Sequence, residues 1–462
     1  MVFSSIVFLF VFLPCVILAY YNPFFKSRSF KNVLLLLASL GFYAWGETLF
    51  VFIMLFSICL NYGIALAMDK STGAKKIWLG ISLVWNLGLL FVFKYMGFII
   101  EYISALMPSL NFPAIKIVLP IGISFFTFQI MSYVFDVYYK KVTVQKNILD
   151  LALYISFFPQ LIAGPIVRYN SIAAQIRQRT ESRELFAGGL QRFVVGLSKK
   201  CLLSNMVALF ADYVFKQDVA ALSASGAWIG AVAYTFQIYI DFSGYSDMAI
   251  GLGKMFGFHF EENFNYPYIA SSVTDFWRRW HISLSAWFRD YVYIPLGGNR
   301  CSALRQAMNM LAVWAFTGIW HGAAWTFWFW GIYYFILLFI EKNCILKLIE
   351  SSKVAKIAWR VMTLLLVILG WVIFRSPSLA FAFSYIKRMF IPCMCTGESL
   401  PSNCTLIFIL CTLASLPVVP FIKNRIGKNL KPAAGVLQVV LFVLCICCVV
   451  GGAYSPFIYF NF

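Results

Sequence analysis

Residues 306–340 read Q-A-M-N-M-L-A-V-W-A-F-T-G-I-W-H-G-A-A-W-T-F-W-F-W-G-I-Y-Y-F-I-L-L-F-I, with no Asp, Glu, Lys or Arg between Arg305 and Glu341. A bilayer-crossing helix takes roughly 20 predominantly apolar residues, so this stretch predicts two crossings, at about 306–322 and 323–341. The rest of the chain repeats the pattern. Of its 462 residues, 61 % are apolar and 12 % charged, and the mean hydropathy is +0.81. Soluble domains run at about 45–50 % apolar and about 25 % charged, so an ordinary soluble globular protein is excluded. Further spanning runs are expected at about 2–20, 32–45, 47–66, 77–95, 117–139, 201–215, 225–250, 357–375, 404–422 and 435–458. The fold class expected is an all-α polytopic membrane protein with about 11–13 membrane helices, re-entrant and interfacial segments included. With no repeat of fixed period and no low-complexity linker, one integral-membrane domain over 1–462 is the simplest organisation.

The net charge of +19 comes from 37 Lys and Arg against 18 Asp and Glu. Basic residues gather between apolar runs, at Lys26, Arg28 and Lys31, at Lys70, Lys75 and Lys76, and at Lys140, Lys141 and Lys146. Retention of Lys and Arg in cytoplasmic loops explains such clusters. Two crossings fit between each pair of clusters, which puts the N-terminus outside. Nucleic-acid binding is excluded as the use of this charge, since no basic stripe is interleaved with stacking aromatics outside the apolar runs. The run at 2–20 lacks a basic n-region and a small-residue cleavage site, and is expected to be an uncleaved first helix. The 12 cysteines fall mostly inside apolar runs and read as small buried hydrophobes. Only Cys393, Cys395 and Cys404 flank a polar loop, where a disulfide is not indicated. Three histidines without paired Cys/His spacing argue against a metal site.

Several stretches do not suit lipid. Residues 150–167 are apolar but interrupted by Pro159, Gly164 and Pro165. Broken helix at membrane depth needs cover from protein or a cavity, and a basic amphipathic stretch, 168–200, follows. A re-entrant hairpin is therefore expected at 150–167. The segment D-F-S-G-Y-S-D at 241–247 ends another apolar run with Asp241 and Asp247; these are either wet carboxylates at a helix end or groups facing a cavity. Read as one helix, 275–294 puts Trp277, Trp280, Leu284, Trp287, Phe288 and Tyr291 on one face and Arg278, His281, Ser285 and Arg289 on an adjoining polar stripe. Such a helix either lies in the interface as an anchor or dips inward, where the cationic stripe suits phosphate or carboxylate. In 314–325, Trp314, Thr317, His321, Trp325 and Trp328 share a helical face, with Gly318 and Gly322 as a close-packing edge. A histidine inside a membrane helix points to function, and a neutral imidazole can take a proton from a hydroxyl. His259, in G-F-H-F, reads as a connector residue without such a role.

The runs D-F-W-R-R-W-H-I-S-L-S-A-W-F-R-D-Y-V-Y-I-P-L-G-G-N-R at 275–300 and T-G-I-W-H-G-A-A-W-T-F-W-F-W-G at 317–331 closely resemble the membrane-bound O-acyltransferase superfamily. So do P-I-G-I-S-F-F-T-F-Q at 120–129, F-P-Q-L-I-A-G-P-I-V-R at 158–168 and F-N-Y-P-Y at 264–268. The chain is most similar to the bacterial branch that holds the alginate and peptidoglycan O-acetyltransferase membrane subunits. That resemblance implies a ring of helices around a thinned centre where funnels from the two faces meet, with a catalytic core at about 120–331. It implies His321 as catalytic histidine and His281 as the second, orienting or relaying a proton. Arg278, Arg279, Trp280, Ser285, Arg289, Asp241, Asn265, Trp314 and Thr317 are the expected substrate contacts, with Arg278 and Arg279 either meeting phosphates or anchoring the helix. Acetyl-CoA is the implied donor and no metal is required. Also implied are a bacterial inner-membrane location, a polysaccharide acceptor and a secreted or membrane-anchored esterase-like partner. Two other functions stay open: D-alanyl transfer to teichoic acid, and transport of a polysaccharide or lipid-linked sugar. Against transport, the polar groups form one block with no duplicated half.

Overall fold

The computed structural model describes residues 1–108, 117–391, 404–421 and 431–452. Those residues are helices and connectors, with no strand among them. The helices are α1 (Phe8–Tyr20), α2 (Arg28–Ala44), α3 (Phe50–Lys70), α4 (Lys75–Leu106), α5 (Ile123–Tyr138), α6 (Ile148–Ser156), α7 (Tyr169–Arg177), α8 (Arg183–Phe215) and α9 (Ala224–Met255). They continue as α10 (Val273–Arg279), α11 (Ile282–Phe288), α12 (Ala303–His321), α13 (Trp325–Ile340), α14 (Lys353–Arg375), α15 (Leu379–Phe390), α16 (Cys404–Ser415) and α17 (Lys431–Val450). Of these, α3, α4, α8 and α14 are long and apolar enough to cross a bilayer by length and composition. Cys393 and Cys395 lie outside the described residues, and the described cysteines are free thiols.

The chain divides into two compact units, Met1–Phe193 with Met248–Glu261, and Val194–Asp247 with Glu262–Phe462. Both α8 and α9 run from one unit into the other. The stretch 120–331 therefore draws on both.

In the first unit the interrupted segment is a hairpin. It descends through α6, makes a single turn at Phe158–Leu161 and returns through α7. Asp150, near the start of α6, meets Arg177, at the end of α7, at 3.0 Å, so the chain comes back to the level at which it entered. Residues 150–167 are buried throughout. Two backbone groups of the interrupted segment find side-chain partners, as apolar surroundings demand: the Phe158 amide donates to Ser39 Oγ (3.1 Å) and the Val167 carbonyl accepts from the Tyr154 hydroxyl (2.8 Å). The Phe158 ring packs on Phe12 and Phe42, which ties the tip to α1 and α2. Gly122, at φ +77, admits the hairpin's backbone; a Cβ there would stand 2.7 Å from the Leu161 carbonyl oxygen.

Arg28 and Lys31 of the first basic cluster share one polar network with Arg177 and Arg179. Glu181, in the connector before α8, takes hydrogen bonds from Arg28 (2.5 Å) and Tyr20 (2.6 Å) and lies 3.4 Å from Lys31. Arg179 reaches Asn32, which donates to Asp150. Burial pushes the Glu181 carboxyl up, but the bonds from Arg28 and Tyr20 and the nearby Lys31 charge prevail and hold it down at about 2.

In the second unit, α8 and α9 cross at Gly244, where a Cβ would come 2.9 Å from the Gly196 carbonyl oxygen. Beside the crossing, Lys199 pairs with Asp247 at 2.7 Å and Lys200 with Asp241 at 2.6 Å. The α12–α13 pair is closer still. A Cβ on Gly318 would stand 2.5 Å from the Phe327 carbonyl, and one on Gly331 would collide with the Trp314 carbonyl. Gly318 and Gly322 are thus the close-packing edge expected for small residues between membrane helices.

Candidate active site

Two short helices carry the polar stripe. Ser272 caps α10 by accepting from the Asp275 amide (3.1 Å), and Glu341, wholly buried, accepts from the amides of Val273 (2.6 Å) and Thr274 (2.8 Å). A carboxylate at an N-terminus suits both the orphan amides and the helix dipole. The same carboxylate takes the Trp359 indole N–H at 2.9 Å, which fastens α10 to α13 and α14.

The continuous helix expected over 275–294 is not formed. It breaks at Trp280 and His281, and His281 takes the left-handed conformation, φ 44 and ψ 53. Backbone of this kind costs on the order of 1 kcal/mol outside glycine, and it collects at functional sites. Projecting a constant 100° per residue through the break could not reveal it. The expected face of 314–325 is divided too: α12 ends at His321, and Trp325 and Trp328 belong to α13.

His281 and His321 line one cavity of about 460 Å³, wholly within the second unit. The wall also holds Trp277, Arg278, Trp280, Ser285, Arg289, Trp314, Thr317 and Lys342. Arg278, Ser285, Arg289 and Lys342 are exposed, whereas both histidines, Trp280, Trp314 and Thr317 are buried. The cavity therefore joins cationic exposed groups to a dry, aromatic interior. His321 packs against Trp320 (centroids 4.9 Å apart), Phe374 (5.0 Å) and Trp330 (5.1 Å). His281 lies edge-on to Phe242 at 4.7 Å, and the Trp320 ring neighbours both histidines. Trp277, between Trp314 and Tyr334 at 4.7 Å from each, is buried at its indole nitrogen without a hydrogen-bond partner among the described residues. The same holds for His281 Nε2. Both side chains belong to the wall of this one cavity.

Three expected substrate contacts lie outside this wall. Arg279 is engaged by Asp275 (2.9 Å) and by the Asn265 carbonyl (3.2 Å). Asn265 in turn donates its amide to the Arg279 carbonyl at 3.0 Å, so the two brace the chain entering the break. Asp241 is 1 % exposed and meets Lys200. His259, a connector residue as expected, is exposed in the first unit. Conversely, sequence reasoning missed Asn263, Glu341 and Lys342. Glu341 and Lys342 close the long uncharged run, and that position was a usable signal. Asn263 had none.

No group of His, Cys, Asp and Glu suited to a metal occurs among the described residues. Two buried histidines and exposed cations thus share one aromatic cavity in a helical membrane protein. The chain belongs to the membrane-bound O-acyltransferase family, whose model matches residues 37–386, and it is an O-acyltransferase. It is similar to the "Probable alginate O-acetylase AlgI" of Pseudomonas aeruginosa, 43 % identical over 84 % of this chain and 75 % of the relative. The protein of that name from Pseudomonas putida is 38 % identical over the full length of both chains. The "Peptidoglycan O-acetyltransferase" of Helicobacter pylori is 36 % identical over 84 % of this chain and 80 % of its own.

Proposed function

We propose that this chain moves acetyl groups from cytoplasmic acetyl-CoA across the bacterial inner membrane, for O-acetylation of a cell-surface or secreted polysaccharide. The observation that carries the reading is the single cavity shared by His281, His321 and the exposed Arg278, Arg289 and Lys342. The names of the relatives support acetyl as the group and a polysaccharide as its destination. Arg278 and Lys342 make no ion pair among the described residues and would meet the phosphates of the donor; Arg289 also holds Asp290. His321 takes the proton of the acceptor hydroxyl as its oxygen attacks the thioester carbonyl. The new C–O bond forms, the C–S bond breaks, and the proton passes to the departing thiolate sulfur. His281 orients the acceptor or relays that proton. Multi-pass insertion as one functional domain lets the donor enter on one side and the acetyl group leave on the other, where a secreted or membrane-anchored esterase-like partner completes delivery.

Membranes given acetyl-labelled acetyl-CoA test this. Wild-type membranes pass label to glycan or partner, and His321→Ala membranes, with the protein present at wild-type level, lose transfer by about 10²–10⁴-fold. Normal transfer by His321→Ala overturns the assignment. Label left on the donor while unmodified polymer crosses indicates a transporter instead.

A further inference from the structure

His281 sits between α10 and α11 in a backbone conformation that must be held, and Asn263 holds it. The Asn263 carbonyl oxygen accepts from the Ile282 amide at 3.0 Å. Its side-chain Oδ1 accepts from the Ser283 amide (3.3 Å) and the Ser283 hydroxyl (2.9 Å). The same Oδ1 lies 3.1 Å from His281 Nδ1. Asn263 is wholly buried and His281 is 1 % exposed, so water does not compete for these contacts.

The identity of the amide atom follows from chemistry. A backbone N–H only donates, so the Asn263 atom facing the Ser283 amide must be the oxygen. An amide oxygen carries no proton, so its bond to His281 exists only if Nδ1 bears the hydrogen. In the neutral ring Nε2 is then a lone pair. That atom is buried and has no hydrogen-bond partner among the described residues, while its ring lines the cavity. A proton on Nε2 as well would put an unpaired cation into aromatic surroundings, which is costly.

We propose that Asn263 is a positioning residue for acyl transfer: its Oδ1 fixes His281 as the Nδ1–H tautomer, so that Nε2 is the acceptor offered to the group undergoing transfer. This role rests on the acyl-transfer reading of the two histidines. Asn263 Nδ2 has no hydrogen-bond partner among the described residues, so everything the side chain contributes goes through Oδ1, which an aspartate keeps and a leucine lacks.

The chain has three histidines, so ¹⁵N-histidine labelling of the full protein in liposomes gives a readable spectrum, with His281 assigned by its loss in His281→Gln. Wild type is expected to show a protonated Nδ1 and an unprotonated Nε2. In Asn263→Leu that signature is lost, and turnover falls at least about tenfold with the KM for acetyl-CoA within about twofold of wild type. Asn263→Asp keeps the tautomer and most of the turnover. A wild-type Nε2–H tautomer overturns the proposal, as does wild-type turnover by Asn263→Leu or loss of the tautomer in Asn263→Asp. If Asn263→Leu fails to accumulate, the spectra of wild type and Asn263→Asp decide the matter by themselves. Persistent transfer by His321→Ala, with the His281 tautomer intact, would instead remove the acyl-transfer reading beneath it.

Discussion

Two helix interruptions in apolar surroundings, at 157–168 in the first unit and at 280–281 in the second, are finished differently. In the hairpin two backbone groups are paired by side chains, the Phe158 amide with Ser39 Oγ and the Val167 carbonyl with the Tyr154 hydroxyl, while Gln160 Oε1 is buried without a hydrogen-bond partner among the described residues. At the second break the backbone is braced by Asn263 and Arg279, and Trp277 Nε1 and His281 Nε2 have no hydrogen-bond partner among the described residues. What sets the second break apart is the cavity that its two side chains with unpaired nitrogens line.

The contrast can be attacked from both sides. The largest effect is expected at the hairpin: Gly122→Val places a branched side chain at φ +77 against the Leu161 carbonyl. Thermal unfolding of the solubilised protein should then register about 3 kcal/mol of lost stability, while the KM for the donor in surviving protein stays at its wild-type value. A change in KM with unaltered stability would show that the hairpin is not mere architecture. At the open break, Trp277→Phe keeps one aromatic ring and removes the pyrrole ring with its N–H. Donor or acceptor KM should rise about 2–10-fold, with about 1–2 kcal/mol of stability lost to the smaller side chain; a stability loss with unchanged KM would place that indole among packing groups. The smallest effect concerns Glu181. Its carboxyl is held below the ordinary 4.5 in the fold, at about 2. A depressed pKa contributes stability that is fully present above about 4.5 and is lost as pH falls toward about 2. Melting temperature should therefore decline over that window in wild type and less steeply in Glu181→Gln, whereas parallel curves would remove the ion network from the account.

Much of this could be read in the residues. Pro159, Gly164 and Pro165 disclose the hairpin because proline removes a donor wherever it sits, a local fact that needs no partner to be known. Gly318 disclosed the α12–α13 contact for a similar reason. The cavity side chains of the 275–294 stripe were legible because helical period survives on each side of the break. The break itself was not, since it is made by Asn263, a residue 18 positions away whose bond to His281 leaves no periodic trace. Asp241 shows the same limit: a carboxylate in an apolar run signals a partner, and only the fold reveals that Lys200 is beside it.

Glu341 and Lys342 are neighbours in sequence with opposite charges and opposite destinations, one clamped under α10 and the other in the cavity wall. Successive residues on a helix are about 100° apart, so the reading frame of α13 sets the sign of the charge presented at that wall. Inserting a single residue within 332–340 would bring the carboxylate of Glu341 to the wall place of Lys342 and unclamp α10 in the same stroke. The length of an uncharged run, which looks like featureless grease, is thus a coded dimension of the molecule.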